Sequence, residues 1–171
     1  MEINKKSLTK LCSFYVSDWH LVTMMLPYIN QKVNEKAKIA TILEKDIKEN
    51  VVILVEKLNL KNKEEILNVN WHKNENIKRQ SNELKDNQEF LILINGDENF
   101  IENQNKKIEK YFNTHLIKNT IKIVNFYDVT KLKGSISKIL ENHDKILNTS
   151  GEKEISEVIE NKIEQEKRLA M

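Results

Sequence analysis

The chain has little of what usually marks a specialised protein: one cysteine, three glycines and one proline in 171 residues. Cys12, standing alone, excludes an intramolecular disulfide and any zinc cluster built on several thiolates. With so few glycines and prolines there is no linker to divide the chain. Its length suits one domain that buries roughly 70% of the surface exposed when unfolded. An excess of one charge is also missing. Lys and Arg number 28 against 26 Asp and Glu, and a net +2 is too small and too evenly spread to advertise a nucleic-acid or membrane partner. The longest apolar run, Leu21 to Ile29, is broken by Thr23 and Pro27 and is too short to span a bilayer. Met1 to Lys10 is polar and lysine-rich, without the apolar run of a signal peptide behind it. A cytoplasmic location is expected. Heavy use of Asn, Ile and Lys, with Lys far ahead of Arg, fits an AT-rich bacterial coding bias.

Catalytic signatures are missing too. No "GxxxxGK[ST]" phosphate loop, "GxGxxG" dinucleotide turn, "GxSxG" elbow or "HExxH" pair occurs. A non-enzymatic protein without cofactor or metal is the expectation, although a catalytic pair distant in sequence would leave no such trace.

What the chain does have is alternation. Apolar, β-rich runs at Leu11–Val16, Lys38–Leu43, Ile66–Trp71, Phe90–Ile94, Ile121–Phe126 and Lys145–Leu147 read as strands. Segments of helical period lie between them: Asp18–Asn34, Asp46–Leu58, Glu75–Lys85, Asn99–Asn113, Thr130–Asn142 and a charged tail from Glu152. Strands and helices in this order predict right-handed βαβ crossovers. The fold class is α/β, a mostly parallel sheet of five to six strands with helices on both faces, RecA- or Rossmann-like in three layers. Residues 1–151 read as one domain. Residues 152–171 read as a C-terminal helix or connector that docks on its own sheet, pairs with another copy, or meets a partner.

In such a sheet ligands sit beyond the carboxyl ends of the strands. The stretch "CSFYVSDWHL" (Cys12–Leu21) crowds Tyr15, Asp18, Trp19 and His20 into one strand-to-helix turn. Trp71 and His72 follow the third expected strand, Gly96 and Asp97 the fourth, Tyr127 and Asp128 the fifth, and His143 precedes the sixth. Capping explains Ser17 or Asp18, Asp46 and Asp128 without a ligand, and a close turn explains Gly96. Trp19, Trp71 and Tyr127 project towards the same sheet edge, as core residues or as the wall of an apolar pocket. No two histidines share the i, i+4 spacing of a helical metal pair. Cys12, among apolar neighbours, reads as a buried inert thiol.

Several of these segments together resemble the MEDS family, the methanogen/methylotroph DcmR sensory domain. Leu11, Cys12, Phe14 and Tyr15 are similar to its opening "HIC-x-FY" strand, Asp18 to the acidic turn, and Pro27-Tyr28-Ile29 to the "PFI" helix end. "INGDENF" resembles its "TGEMTW" turn through Gly96, with Asp97 for the usual glutamate. "IVNFYDVTKL" is similar to "LCxYDxxxF" through Tyr127, Asp128 and Leu132, and "ILENHDKILNTSGE" to "LxxHPxVIxxG" through His143, Ile146 and Gly151. Lys10, Asn125 and Asp144 depart from the family's histidine, cysteine and proline, and the region before Phe90 is shortened. The likeness spans Leu11 to Glu152. It implies a RecA/KaiC-like core without a working phosphate loop that senses small hydrocarbon-derived signals, often fused to an output module.

The expected function is therefore a sensory, ligand-binding module for a small apolar or aromatic molecule, signalling through a regulatory protein partner or a homodimer. Its expected site comprises Tyr15, Asp18, Trp19, His20, Trp71, Gly96, Asp97, Tyr127, Asp128 and His143. The alternatives are a degenerate nucleotide-binding protein holding phosphate at helix N-termini, and an interaction protein acting through its C-terminal helix. Acidic Asp97 and Glu152 beside the candidate phosphate turns weigh against the former.

Overall fold

A computed structural model describes residues 8–71, 76–115 and 117–158. Six strands form one sheet: β1 (Leu8–Tyr15), β2 (Lys38–Leu43), β3 (Phe90–Gly96), β4 (Ile121–Asp128), β5 (Lys145–Asn148) and β6 (Gly151–Glu154). Their order across the sheet is β2-β3-β4-β1-β5-β6, all parallel except the antiparallel β5–β6 hairpin. The mostly parallel α/β expectation holds.

Two apolar layers cover the sheet because alternate side chains of each strand point to opposite faces. On one face Leu11, Tyr15, Leu91, Leu93, Val124 and Phe126 meet α1 (Asp18–Asn34), α2 (Lys48–Leu58) and α3 (Lys63–Leu67). On the other, Cys12, Ile92, Ile94, Ile123 and Tyr127 meet α5 (Glu98–Thr114) and α6 (Ile136–Glu141), with Ile77 of α4 (Ile77–Asn82) at the margin. β3 is buried from Phe90 to Asn95, as its unbroken apolar run requires. The chain leaves β1 towards one face and β4 towards the other, so the neighbouring strands β1 and β4 mark a topological switch point.

Three expected elements differ. The helix read over Thr130–Asn142 is a 3-10 turn over Val129–Lys131 and the separate short helix α6, divided by the extended residues Leu132 and Ser135. Ile66–Trp71 is not a strand. Ile66 and Leu67 close α3, the chain turns at Asn68 and Val69, and Trp71 enters the core with its indole N–H donating to the Ile66 carbonyl at 2.8 Å. A short apolar run reads alike as a strand or as buried helix. The expected helix from Glu152 begins instead as β6, followed by one helical turn over residues 155–158. Its remainder, 159–171, lies outside the described residues.

β6 is held by charge. Glu152 accepts from the Tyr28 hydroxyl at 2.7 Å and from Lys122 at 2.8 Å, with Lys145 at 3.5 Å and buried Lys32 at 4.0 Å. Burial alone would raise the Glu152 carboxyl, but Lys122, Tyr28 and Lys32 outweigh it and hold it below the usual glutamate range. Burial disfavours the Lys32 ammonium, yet Glu89 beside it raises it above the usual lysine value. Glu89 Oε1 lies 2.8 Å from the Lys32 ammonium.

No helix among the described residues is long and apolar enough to cross a membrane.

Candidate functional site

At the carboxyl edge, most of the expected site residues serve the strand-to-helix turns. Ser17 caps α1: its Oγ accepts the His20 N–H at 3.1 Å, while His20 Nδ1 accepts the Val16 N–H at 3.0 Å. Two orphan amides are satisfied reciprocally, in the manner of a capping box. Asp18, one residue further on, pairs with Lys45 at 2.6 Å and raises that ammonium. Asp97 caps α5 through the Phe100 N–H at 2.8 Å, and Asp128 accepts Thr130 N–H and Oγ1–H at 2.9 and 2.6 Å. Gly96 is dictated by space, since a Cβ there would stand 2.4 Å from Phe100 Cδ1 and 3.1 Å from Glu44 Oε1.

The expected aromatic cluster divides across the sheet. Tyr15 and Trp71 belong to the α1 face, Tyr127 to the α5 face, and Trp19 is 48% exposed at the start of α1. Tyr15 is buried with its hydroxyl accepting from Asn95 Nδ2 at 2.7 Å, and burial pushes its phenol up. Lys45 and Asp18 lie near it. Cys12 is wholly buried, and desolvation pushes its thiol up to about 12, which leaves no thiolate at neutral pH. His115 ends α5 and is exposed, and His72 lies outside the described residues.

Tyr127 and His143 do come together, ring edge to ring face at 6.0 Å, and both border a groove of about 450 Å³ between α5 and α6. The groove runs down from the carboxyl edge, where Glu98, Gly134 and Ser135 form its lip, over β4 towards Lys10 and Glu109. Phe14 stacks on Tyr127 at 5.8 Å from behind. Burial pushes the Tyr127 phenol up, and no hydrogen bond reaches its hydroxyl among the described residues. The floor is polar: Asn105 of α5 and Asn125 of β4, both buried, exchange two hydrogen bonds, and Asn125 also meets His143 Nε2 at 2.9 Å. His143 Nδ1 lies 2.6 Å from the Ile139 carbonyl, and desolvation keeps the imidazole below its ordinary range, hence neutral.

Asn105 and Asn125 were not among the expected site residues. The signal was nonetheless present, because Asn125 interrupts the apolar strand "IKIVNF". Asn105 falls four residues after Ile101 and three before Ile108, on the buried stripe of its helix.

The charges on the groove rim are largely spent. Lys10 pairs with Glu109 at 3.4 Å and Lys106 with Glu102 at 3.2 Å, and Glu98 accepts the N–H groups of Lys133 and Gly134. A larger hollow of about 720 Å³ lies at the amino edge around Asn34, Lys36, Asn87 and Gln88. It is formed by loop residues such as Gln88, whose amide is already bonded to the Lys36 carbonyl at 3.0 Å. Its walls lack the aromatic and buried polar side chains of the α5–α6 groove, which is the better-built site. No group of three or more His, Cys, Asp or Glu side chains suited to a metal occurs among the described residues.

No known protein family, curated protein or solved structure matched the chain.

Proposed function

We propose that the protein is a non-enzymatic binding module for a small, uncharged, largely apolar or aromatic molecule held in the α5–α6 groove. One observation carries this reading. Tyr127 presents an unpartnered hydroxyl and an aromatic ring at a groove whose floor amides bond one another and whose rim pairs Lys10 with Glu109 and Lys106 with Glu102, with Lys138 as a further rim cation. A saturated floor offers nothing to a charged ligand, whereas one apolar face and one hydroxyl suit a neutral ring with a single polar substituent. The resemblance to the MEDS sensory family supports the reading, since Tyr127 and His143 are two of the residues that carry it. Sensing would then pass to a regulatory partner or a second copy.

A nucleotide held at the "NGDENF" or "NTSGE" turn finds less support. The Phe100 amide in the first turn of α5 is taken by Asp97, and "NTSGE" turns into the strand β6, which offers no helix N-terminus.

The test is a thermal-shift series on the full chain with phenol and indole as neutral probes, against benzoate and benzylamine. A compound that binds only the folded state raises the melting temperature with concentration. The neutral pair should stabilise the protein and the charged pair should not. Tyr127→Phe should weaken binding by about fivefold, as for one net hydrogen bond of about 1 kcal/mol. Equal stabilisation by all four probes, or none by any, would contradict the proposal.

A further inference from the structure

The floor of the groove is a hydrogen-bond chain whose polarity is fixed at both ends. His143 Nδ1 lies 2.6 Å from the Ile139 carbonyl, which can only accept, so Nδ1 carries the proton. Asn105 Nδ2 lies 2.8 Å from the Ile101 carbonyl, which fixes that amide in one orientation. Asn105 and Asn125 then exchange bonds of 2.8 and 3.0 Å, leaving the other N–H of Asn125 aimed at His143 Nε2. The chain closes only when Nε2 offers a lone pair.

We infer that protonation of His143 opens the groove by releasing α6. A proton on Nε2 sets two donors against each other at 2.9 Å. Turning the Asn125 amide cures that contact but opposes its Nδ2 to that of Asn105. Turning Asn105 as well opposes its oxygen to the Ile101 carbonyl. No arrangement of the two amides satisfies every buried group, and an unsatisfied one costs about 1–3 kcal/mol. His143 must let go. Beyond that bond α6, a six-residue helix, is held by buried Ile139 and half-buried Leu140.

The surrounding charges do not cancel the effect. From β1, Lys10 opposes protonation; from α5, Glu109 favours it but is paired with Lys10 at 3.4 Å. Asp144, after α6, also favours it, and its carboxylate accepts the Lys10 backbone N–H at 2.9 Å. Lys145 of β5 faces Glu152 and Glu154, and on β4 Tyr127 presents a neutral ring. Lys138 of α6 and the Glu102–Lys106 pair of α5 stand at the rim. Burial disfavours the imidazolium more than these groups favour it, so the opening falls on the acid side of the usual histidine range.

The inference rests on the proposed ligand groove only for its consequence, a pH-dependent affinity; the switch itself needs no ligand to be seen. The experiment is NMR on the full ¹⁵N-labelled chain, with the His143 ring assigned through His143→Gln. Imidazole tautomer and titration are read beside the exchange protection of the Ile139, Leu140 and Glu141 amides. Expected are the Nδ1–H tautomer at high pH, a midpoint below 6.5, and about a tenfold loss of α6 protection at that midpoint while α5 is unchanged. In Asn125→Asp the carboxylate accepts from Asn105 and from a protonated Nε2, so the midpoint should rise above 6.5 and α6 should stay protected. Should that variant not fold, His143→Gln should make α6 protection independent of pH. The Nε2–H tautomer at high pH, or α6 protection unchanged through the titration, would overturn the inference. Absence of phenol and indole binding at every pH, with the titration as expected, would remove the ligand reading and leave the switch standing.

Discussion

Ser17 and His20 cap one turn together: the serine oxygen holds the histidine N–H at 3.1 Å, and the histidine ring reaches back to the Val16 N–H at 3.0 Å. The crowding of "CSFYVSDWHL" is thus chiefly the machinery that ends β1 and starts α1, and the residues in it are not interchangeable.

Ser17→Ala should lower stability by about 1 kcal/mol, as for a lost helix cap. His20→Ala should cost about 0.5–1.5 kcal/mol for one net hydrogen bond. Asp18→Ala, which breaks only a partly exposed pair with Lys45, should cost less than about 1 kcal/mol. Urea unfolding of the three variants checks the order, and an Asp18 effect larger than that of Ser17 would reassign the cap.

Leu93→Ala, in the wholly buried middle of β3, should cost about 2–5 kcal/mol. Trp19→Ala, at a side chain 48% exposed, should cost much less, whereas Trp71→Ala should cost about 3–5 kcal/mol. Melting temperatures that rank the two tryptophans the other way would contradict their placement.

Gly96→Ala should destabilise the protein by about 1–3 kcal/mol, because the new methyl group overlaps the Phe100 ring. Phe100→Leu should recover part of that loss in the double variant, which a double-mutant cycle measures. Strictly additive effects would place the strain elsewhere.

The sheet was largely legible in the sequence. Lys38–Leu43 and Asp18–Asn34 were read to the residue, because the short β-rich "KIATIL" is bounded by charged residues on both sides and α1 starts at a capping serine and ends among polar residues. Ile66–Trp71 misled because its apolar residues fill a core around a helix end and a turn, which has no periodic signature. β6 was invisible because "GEKE" has no strand propensity; its pairing with β5 and the lysines around Glu152 make it a strand. In the groove, Tyr127 and His143 were legible as aromatic and titratable residues near the strand ends. Asn105 and Asn125 were overlooked because asparagine is ordinarily a surface residue.

The Glu152 cluster sets an acid limit. Its folded carboxyl lies below the ordinary 4.5, so the unfolded chain takes up this proton first as pH falls. The contribution is therefore complete above about pH 4.5 and is lost as pH falls through the lower, folded value. Glu152→Gln should cost on the order of 3 kcal/mol at pH 7, by leaving Lys32 and Lys122 less compensated, and progressively less below about pH 4.5. Urea midpoints at a series of pH values measure this, and a difference independent of pH would refute it.

Ligand binding in the α5–α6 groove is tested most directly by titrating the ¹⁵N-labelled chain with phenol or indole and mapping the amides that shift. The expected map centres on Ile101, Asn105, Asn125, Tyr127 and Ile139, leaves Val16–Trp19 unmoved, and weakens in Tyr127→Phe. Shifts centred on Val16–Trp19, or none at millimolar probe, would contradict it.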